Sequence, residues 1–291
     1  MPGFEGPRPI TFADRDSVQA LYFRYGCGDS AHAFPSIYLW QKEMGLQLLT
    51  GGETYTVLCA LKGENACFFP VGTEEAKAAC IEGLLERGLK RLCYVTEADA
   101  EFLQRRFPGA FTVREAPEDS EYIYDCRQVI EMPGKAYGKI RNRCRQLEKT
   151  HAVTWESIGP ETLRDAAAIT RQWKRNTDTG EGIRDEWASA RVWDAWEELG
   201  MRGVMLLVDG EPWAAAAGYS LGQGVLDCCL MKARENLPGV TDHLRIALAR
   251  SLEGEFARLN LEEDLGVEGL RQMKERLRPC AMNRMYSGDV K

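Results

Sequence analysis

The sequence contains few residues of the kinds that bind metals or carry out redox chemistry. Only three histidines occur, and the ten cysteines never adopt the C-x-x-C spacing of a metal or redox motif. We therefore predict no metal site and interpret the cysteines, most of which stand in apolar runs, as small buried residues in a reducing compartment. A thiol nucleophile stays an alternative, and it requires an electropositive, accessible setting. The histidines are His32, His151 and His243.

Long hydrophobic runs and an excess of positive charge are also absent. No stretch approaches the apolar length of a membrane span, and the N-terminus lacks the apolar core of a signal peptide, so we predict a cytoplasmic protein without a membrane span. The net charge of −7 argues against a protein that binds nucleic acid over its whole surface, but it is compatible with a local basic patch. The 291 residues are 44% hydrophobic, which suffices for the cores of two domains or one large one.

The order of predicted elements repeats in the two halves of the chain. Each half shows two helices, three meander strands, a helix, a strand, a helix and a final strand, which falls at 281–286 in the second half. Between two helices of that half, residues 178–182 are predicted to form a loop. An acid-rich stretch over 115–121 precedes a basic one over 132–149, and this shift predicts a domain boundary near residue 130.

This element order is that of the GCN5-related N-acetyltransferase fold. We therefore predict an α/β (α+β) protein with two such domains in tandem, residues 1–130 and residues 131–291. Each domain is expected to have a mixed, mostly antiparallel sheet flanked by helices. The second is the candidate active domain.

Three consecutive carboxylates, Glu262, Glu263 and Asp264, stand where a predicted strand over 258–261 gives way to a helix near Val267. In α/β folds the carboxyl ends of strands bind ligands. In an extended chain Glu262 and Asp264 share one face and Glu263 takes the other. The alternative is that Asp264 caps the helix and the acids complement its dipole. The helix is predicted to bury one apolar face, formed by Leu270, Met273 and Leu277.

The basic stretch is predicted to form a helix with an apolar face formed by Tyr137, Ile140, Cys144 and Leu147. Its charged residues permit two interpretations. They form either a solvated linker helix or a surface for phosphates, such as the acceptor stem of a tRNA. The phosphate-binding candidates are Lys135, Lys139, Arg141, Asn142 and Arg143.

Four segments, over 33–40, 134–142, 237–239 and 260–271, resemble the bacterial family of proteins similar to the C-terminal domain of phosphatidylglycerol lysyltransferase. The segment over 260–271 is the most specific of them. The resemblance implies tandem acetyltransferase-like domains, akin to transferases that use aminoacyl-tRNA.

An acyl transferase of this fold needs a group that takes the proton of the acceptor amine and donors that stabilise an oxyanion. We predict that at least one of Glu262, Glu263 and Asp264 is catalytic, either by binding a cationic amine or by acting as the base. The acceptor is expected to be a small-molecule or peptide amine, or a hydroxyl. The candidates for substrate binding are Asn260, Lys274, Arg271, Tyr137 and Trp40.

The usual acetyl-CoA loop of this fold, Q/R-x-x-G-x-G/A, is absent from both halves. The segments 71–73 and 237–241 stand in its place, and the second carries a proline that has no N–H to donate. This departure disfavours coenzyme A, so we assign no certain cofactor and keep aminoacyl-tRNA and acyl-CoA as possible donors. A catalytically silent tandem binding module and a coenzyme A-dependent N-acetyltransferase are the alternative functions.

Overall fold

The computed structural model describes residues 3–177 and 185–291, and the loop predicted over 178–182 lies outside them. Within the described residues the helices are α1 (Arg15–Tyr25), α2 (Phe34–Trp40), α3 (Glu74–Glu86), α4 (Glu97–Arg106), α5 (Cys126–Glu131), α6 (Gly138–Thr150), α7 (Leu163–Thr177), α8 (Glu186–Asp194), α9 (Val240–Ser251) and α10 (Glu268–Arg276). The strands are β1 (Phe4–Arg8), β2 (Leu46–Gly51), β3 (Thr54–Cys59), β4 (Ala66–Phe68), β5 (Val71–Gly72), β6 (Arg91–Val95), β7 (Phe111–Glu115), β8 (Glu121–Asp125), β9 (Val153–Ser157), β10 (Arg202–Val208), β11 (Glu211–Gly222), β12 (Val225–Ala233), β13 (Arg258–Glu263), β14 (Ala281–Asn283) and β15 (Tyr286–Val290).

The chain forms two compact units, each assembled from separate segments. Unit 1 comprises Met1–Glu121, Glu263–Arg271 and Met282–Lys291, and unit 2 comprises Tyr122–Glu262 and Gln272–Ala281. The units thus divide at Glu121 and not near residue 130, and the end of the chain returns to unit 1. The predicted mixed α/β class, with two sheets flanked by helices, is confirmed.

The sheet of unit 1 has the order β1-β2-β3-β4-β6-β15-β7, and β5 pairs with β3. Two threonine caps start the helices that cover it. The Thr73 hydroxyl accepts the N–H of Ala76 at the start of α3, and Thr96 forms a capping box with Asp99 at the start of α4. These caps fix where α3 and α4 begin. The buried residues of the two helices pack with those of β6 in one hydrophobic cluster.

The predicted final strand over 281–286 is wrong in its extent, although its first residues do join the second sheet as β14. The segment forms two strands, β14 and β15, and β15 lies antiparallel between β6 and β7. Tyr286 and Val290 of β15 pack against the apolar cluster of unit 1. Because β15 fills the gap between two unit 1 strands, it contributes to the first sheet and not to the second half of the chain.

The second sheet has the order β14-β8-β13-β12-β11-β10-β9. The predicted hairpin turn between β10 and β11 is confirmed, since Asp209 and Gly210 both have positive φ, 54° and 82°. Four consecutive alanines of β11, Ala214–Ala217, are each 0% exposed. Because successive side chains of a strand alternate between faces, both faces of β11 are covered, and α7 and α9 contact this strand.

Candidate functional site

The parallel strands β12 and β13 diverge within the sheet of unit 2. Their register begins at Val225↔Arg258 and ends at Asp227↔Asn260, although both strands continue beyond these residues. In open α/β sheets, ligands bind at the carboxyl ends of strands. The candidate site therefore lies where β12 and β13 separate.

Glu262 stands at this point in an unusual backbone conformation. Its φ of 59° lies in the left-handed region, which residues other than glycine seldom adopt. Its N–H donates to Asn260 Oδ1 at 2.8 Å, and its carbonyl oxygen accepts from Lys274 Nζ at 2.9 Å. Lys274 Nζ also donates to the carbonyl oxygen of Leu261 at 2.6 Å. Such conformations persist where the surroundings fix them, and they cluster at functional sites.

Asn260 and Lys274, both candidates for substrate binding from the sequence, hold the backbone in this structure. Asn260 is 0% exposed and Lys274 is 6% exposed. The ammonium of Lys274 also lies 5.6 Å from the centre of the Tyr122 ring. Their polar groups fix the peptide units on either side of Glu262, and this role needs no ligand.

Glu262 shares its surroundings with a second acid, Asp227, and with Tyr219. Tyr219 and Asp227 are Cα partners across β11 and β12, and both are buried. Burial raises the pKa of Tyr219 well above its ordinary value, and the charges of Asp227 and Glu262 raise it further. The same causes raise the pKa values of the thiols of Cys228 and Cys229, so both thiols stay protonated at neutral pH. This environment is anionic and disfavours a thiolate nucleophile.

The other two acids of the turn lie in different environments. Glu263 belongs to unit 1, where its charge adds to burial in raising the pKa of Tyr94. Asp264 is 0% exposed and bridges Arg271 with both oxygens, at 2.9 and 3.2 Å. It also accepts the N–H of Gly266 at 2.8 Å. Asp264 therefore fixes the turn before α10 and pairs with a cation of that helix, but it does not occupy the cap position, because α10 begins only at Glu268.

The predicted inward face of the last helix is wrong for two of its three residues. Leu277 is buried, but Leu270 and Met273 are each 37% exposed. Lys274 is buried instead. The physical reason is that the carbonyl oxygens of Leu261 and Glu262 in β13 accept hydrogen bonds from its ammonium. Arg271 pairs with Asp264, although its own side chain is 36% exposed.

A second polar group lies at the N-terminus of α9, which follows β12 and so starts at the carboxyl end of that strand. Arg143 contacts Asp242 Oδ2 through Nε and Nη2, both at 2.8 Å, and Arg245 contacts Oδ1 of the same carboxylate at 3.4 Å. Arg245 is 4% exposed, and its Nε has no hydrogen-bond partner among the described residues. Two guanidinium groups thus share one carboxylate beside a helix N-terminus, which itself favours anions.

The other phosphate-binding candidates are divided between structural and exposed positions. Arg141 donates through Nη1 to the carbonyl oxygens of Met132 and Gly134, and so closes the segment that links α5 to α6. The predicted apolar face of α6 is confirmed, since all four of its residues are buried. The candidates Lys135, Lys139 and Asn142 are exposed, and Arg143 is exposed despite its contact with Asp242. The other exposed polar residues of α6 are Arg145, Gln146, Glu148, Lys149 and Thr150.

Tyr137 and Trp40 take separate positions in the two units. Tyr137 is 4% exposed in unit 2, and its hydroxyl donates to the carbonyl oxygen of Leu277 at 3.0 Å. Trp40 is partly exposed at the end of α2 in unit 1. Tyr137 therefore serves as a core residue that ties α6 to the segment after α10.

A further buried polar cluster lies in unit 1. His32 Nδ1 lies 2.7 Å from Asp29 Oδ1, and Nε2 lies 2.9 Å from the carbonyl oxygen of Phe69. Because both ring nitrogens face acceptors, the ring donates twice and carries a charge. Burial opposes this charge, but the carboxylate of Asp29 outweighs it, so the pKa of His32 is raised. Glu121 accepts the N–H and hydroxyl of Ser30 beside this pair.

Three of these residues, Asp227, Tyr219 and Arg245, were absent from the sequence-based candidates. Two of them could have been recognised from the sequence. Asp227 is a single acid inside an apolar strand, and Arg245 stands between Leu244 and Ile246 in an apolar helix. A charged residue in a buried run requires a partner or a function. Tyr219 could not have been recognised in this way, because a tyrosine in a strand is typical of a hydrophobic core.

The described residues offer neither a metal-binding cluster nor a membrane-spanning helix. Among those residues, no group of three His, Cys, Asp or Glu side chains could hold a metal ion. In the same part of the chain, no helix is both long and apolar enough to cross a bilayer.

The two sheets, the diverging parallel pair and the helix that follows it define a tandem acetyltransferase-like fold. Residues 22–287 match the family described as phosphatidylglycerol lysyltransferase, C-terminal. The chain belongs to this family, and the resemblance drawn from the sequence is confirmed. No curated protein matches the chain.

Several solved structures share the fold. A conserved protein of unknown function from Bacteroides thetaiotaomicron is 22% identical, with 100% of both chains covered and a TM-score of 0.87. The C-terminal domain of a putative lysylphosphatidylglycerol synthetase from Agrobacterium fabrum is 15% identical, with 97% of this chain and 93% of that chain covered and a TM-score of 0.70. L-PGS from Bacillus licheniformis is 16% identical, with 100% and 94% covered and a TM-score of 0.67. At these identities the likeness concerns the fold.

Proposed function

We propose that the chain is an aminoacyl- or acyl-transferase whose reacting amine binds at Glu262 in unit 2. One observation carries the proposal. Glu262 is held in a left-handed conformation at the point where β12 and β13 separate, by Asn260 on one side and Lys274 on the other. A carboxylate carried by a backbone that is fixed in this way, at the carboxyl end of a parallel pair, suits a site that binds an ammonium or accepts its proton.

The chemistry at this point needs two functions. The ammonium of the acceptor must lose a proton before its nitrogen attacks the activated carbonyl. The carboxylate of Glu262 accepts this proton and becomes a neutral acid, which leaves a neutral amine to attack. The oxyanion of the tetrahedral intermediate needs donors. The N–H groups of β12 beyond Asp227 are suitable, because the register with β13 ends there.

The charges around α9 and α6 favour a donor that carries phosphates. Arg143 and Arg245 share the single carboxylate of Asp242, so the N-terminus of α9 has an excess of positive charge. The exposed cations of α6, including Lys139 and Arg145, extend this charge along a helix. Such an extended surface suits a polynucleotide better than a dinucleotide, so we place aminoacyl-tRNA first as donor and acyl-CoA second.

The proposal is tested by a transfer assay with defined donors. tRNA charged with radioactive amino acids, or radioactive acetyl-CoA, is incubated with the protein and a panel of primary amines, hydroxyl acceptors and phosphatidylglycerol vesicles. Transfer from aminoacyl-tRNA to any acceptor supports the proposal, and transfer from acetyl-CoA alone supports the second donor. Tight binding of aminoacyl-tRNA without transfer to any acceptor would assign the chain to the class of binding modules instead.

A further inference from the structure

A cavity lies at the amino end of the unit 2 sheet, away from the acids at the carboxyl end. It occupies about 410 Å³ and is formed by the segment after β9, the segment between α8 and β10, and the end of α9. β10, β12 and β13 begin on this side of the sheet, whereas Glu262 stands at the opposite end of β13. The volume falls in the range of small-molecule sites in proteins, roughly 300–1,000 Å³.

The walls of this cavity combine an apolar floor with charges of both signs. Ile158, Trp196 and Leu252 line it and are each no more than 8% exposed. Trp196 is fixed by its stack on Trp193, with ring centroids 5.7 Å apart. A rigid, pre-formed apolar floor reduces the entropy lost when a ligand binds. The charged side chains at the cavity are Glu197, Arg202 and Glu255.

The charged groups are only loosely engaged with each other. Arg202 Nε lies 3.7 Å from Glu255 Oε1, and these side chains are 54% and 56% exposed. An exposed ion pair at this distance contributes little to stability. Its two side chains can therefore reorient toward a ligand with only a small loss of free energy. Beside them, the wall at Gly159 is bare backbone, since a Cβ built on this glycine would meet nothing within 4 Å.

We infer that this cavity binds a small zwitterion of the α-amino acid class with an apolar side chain. Arg202 pairs with the carboxylate, and Glu197 and Glu255 face the ammonium. The apolar side chain lies on Trp196 and Leu252. The site is separate from the proposed transfer site, and the inference does not depend on that function. A bound zwitterion there would fasten the end of α9 to the start of β10.

Isothermal titration of the full chain with L-phenylalanine tests this inference. We expect saturable binding with a Kd below about 1 mM. L-Phenylalaninamide lacks the carboxylate and N-acetyl-L-phenylalanine lacks the ammonium, so each is expected to bind at least about tenfold more weakly. Arg202→Met should weaken binding of L-phenylalanine to the same degree.

A cavity-filling variant separates this site from binding elsewhere. Gly159→Leu places a side chain in the open space and should abolish the titration signal. Gly138→Leu is the matched control, because a Cβ there also meets nothing within 4 Å but lies on α6, outside the cavity. Binding that survives Gly159→Leu, equal affinity for the amide, or no binding of L-phenylalanine, L-leucine or L-tryptophan at millimolar concentration would overturn the inference.

Discussion

Replacement of the buried Glu121 by glutamine should make unit 1 more stable at alkaline pH. The carboxylate is 2% exposed and accepts three hydrogen bonds, from the N–H and hydroxyl of Ser30 at 2.7 and 2.6 Å and from the amide of Asn283 at 2.8 Å. Burial, and then the negative charge of Asp29, raise the pKa of Glu121 from 4.5 to about 7. The ionised form is therefore disfavoured in the folded state.

The sign and size of the effect follow from this pKa. The folded chain binds the proton of Glu121 more tightly than the unfolded chain does, so the stability from this group is complete below about pH 4.5 and is lost as the pH rises through about 7. A rise of this size corresponds to about 3 kcal/mol. Glutamine has the same shape and no charge, so Glu121→Gln should match the wild type near pH 5 and exceed its stability by up to about 3 kcal/mol at pH 8.

The assay is hydrogen exchange at pH 5, 6, 7 and 8, followed by mass spectrometry of peptides that cover residues 26–32 and β15, which belong to the same unit as Glu121. This readout reports unit 1 separately, which denaturant unfolding of a two-unit chain does not. Glu115→Gln is the control, because Glu115 is an exposed acid of the same unit. The reasoning is refuted if Glu121→Gln keeps the pH dependence of the wild type, or if it is the less stable protein at pH 8.

Three further predictions concern the turn, the start of α9 and the basic helix. Asp264→Asn leaves the partly exposed Arg271 without its bidentate partner and should destabilise the chain by about 2 kcal/mol in thermal unfolding, whereas an unchanged Tm would contradict the structural role. Gly239→Ala forces a Cβ to within 2.8 Å of the Arg143 carbonyl oxygen at a φ of 95°, so it should lower the Tm and weaken anion binding. Lys139→Ala should reduce the salt dependence of tRNA binding by about one counterion without unfolding the chain, and an unchanged salt slope in a filter-binding assay would exclude Lys139 from the interface.

Local patterns predicted most elements of the fold, because helices and strands here follow hydrophobic periodicity. The apolar face of α6 and the hairpin at Asp209 and Gly210 are examples, since each depends on neighbouring residues alone. The position of β15 could not be predicted in this way. Its pairing with β6 depends on an edge made by residues far away in the sequence, and no local pattern encodes such a partner.

The position of the acidic segment at the end of a strand was predicted, but the surroundings of its carboxylates were not. The acidic turn does end β13, yet its three carboxylates face different surroundings, because Arg271 engages Asp264 and the left-handed conformation of Glu262 changes the alternation of the strand. The positive charge of a residue in the sequence does not show whether its side chain binds a ligand or donates hydrogen bonds to the backbone. Lys274 proved to be the second kind, and only its contacts with two carbonyl oxygens revealed it.

The most direct test of the central claim is the rate of acyl transfer by Glu262→Gln beside that of Glu253→Gln, an exposed acid of the same unit that serves as control. With aminoacyl-tRNA as donor and an amine acceptor, kcat/KM of Glu262→Gln should fall by about 10²-fold or more while its Tm stays near that of the wild type. The control should keep full activity. Unchanged turnover in Glu262→Gln would contradict the account.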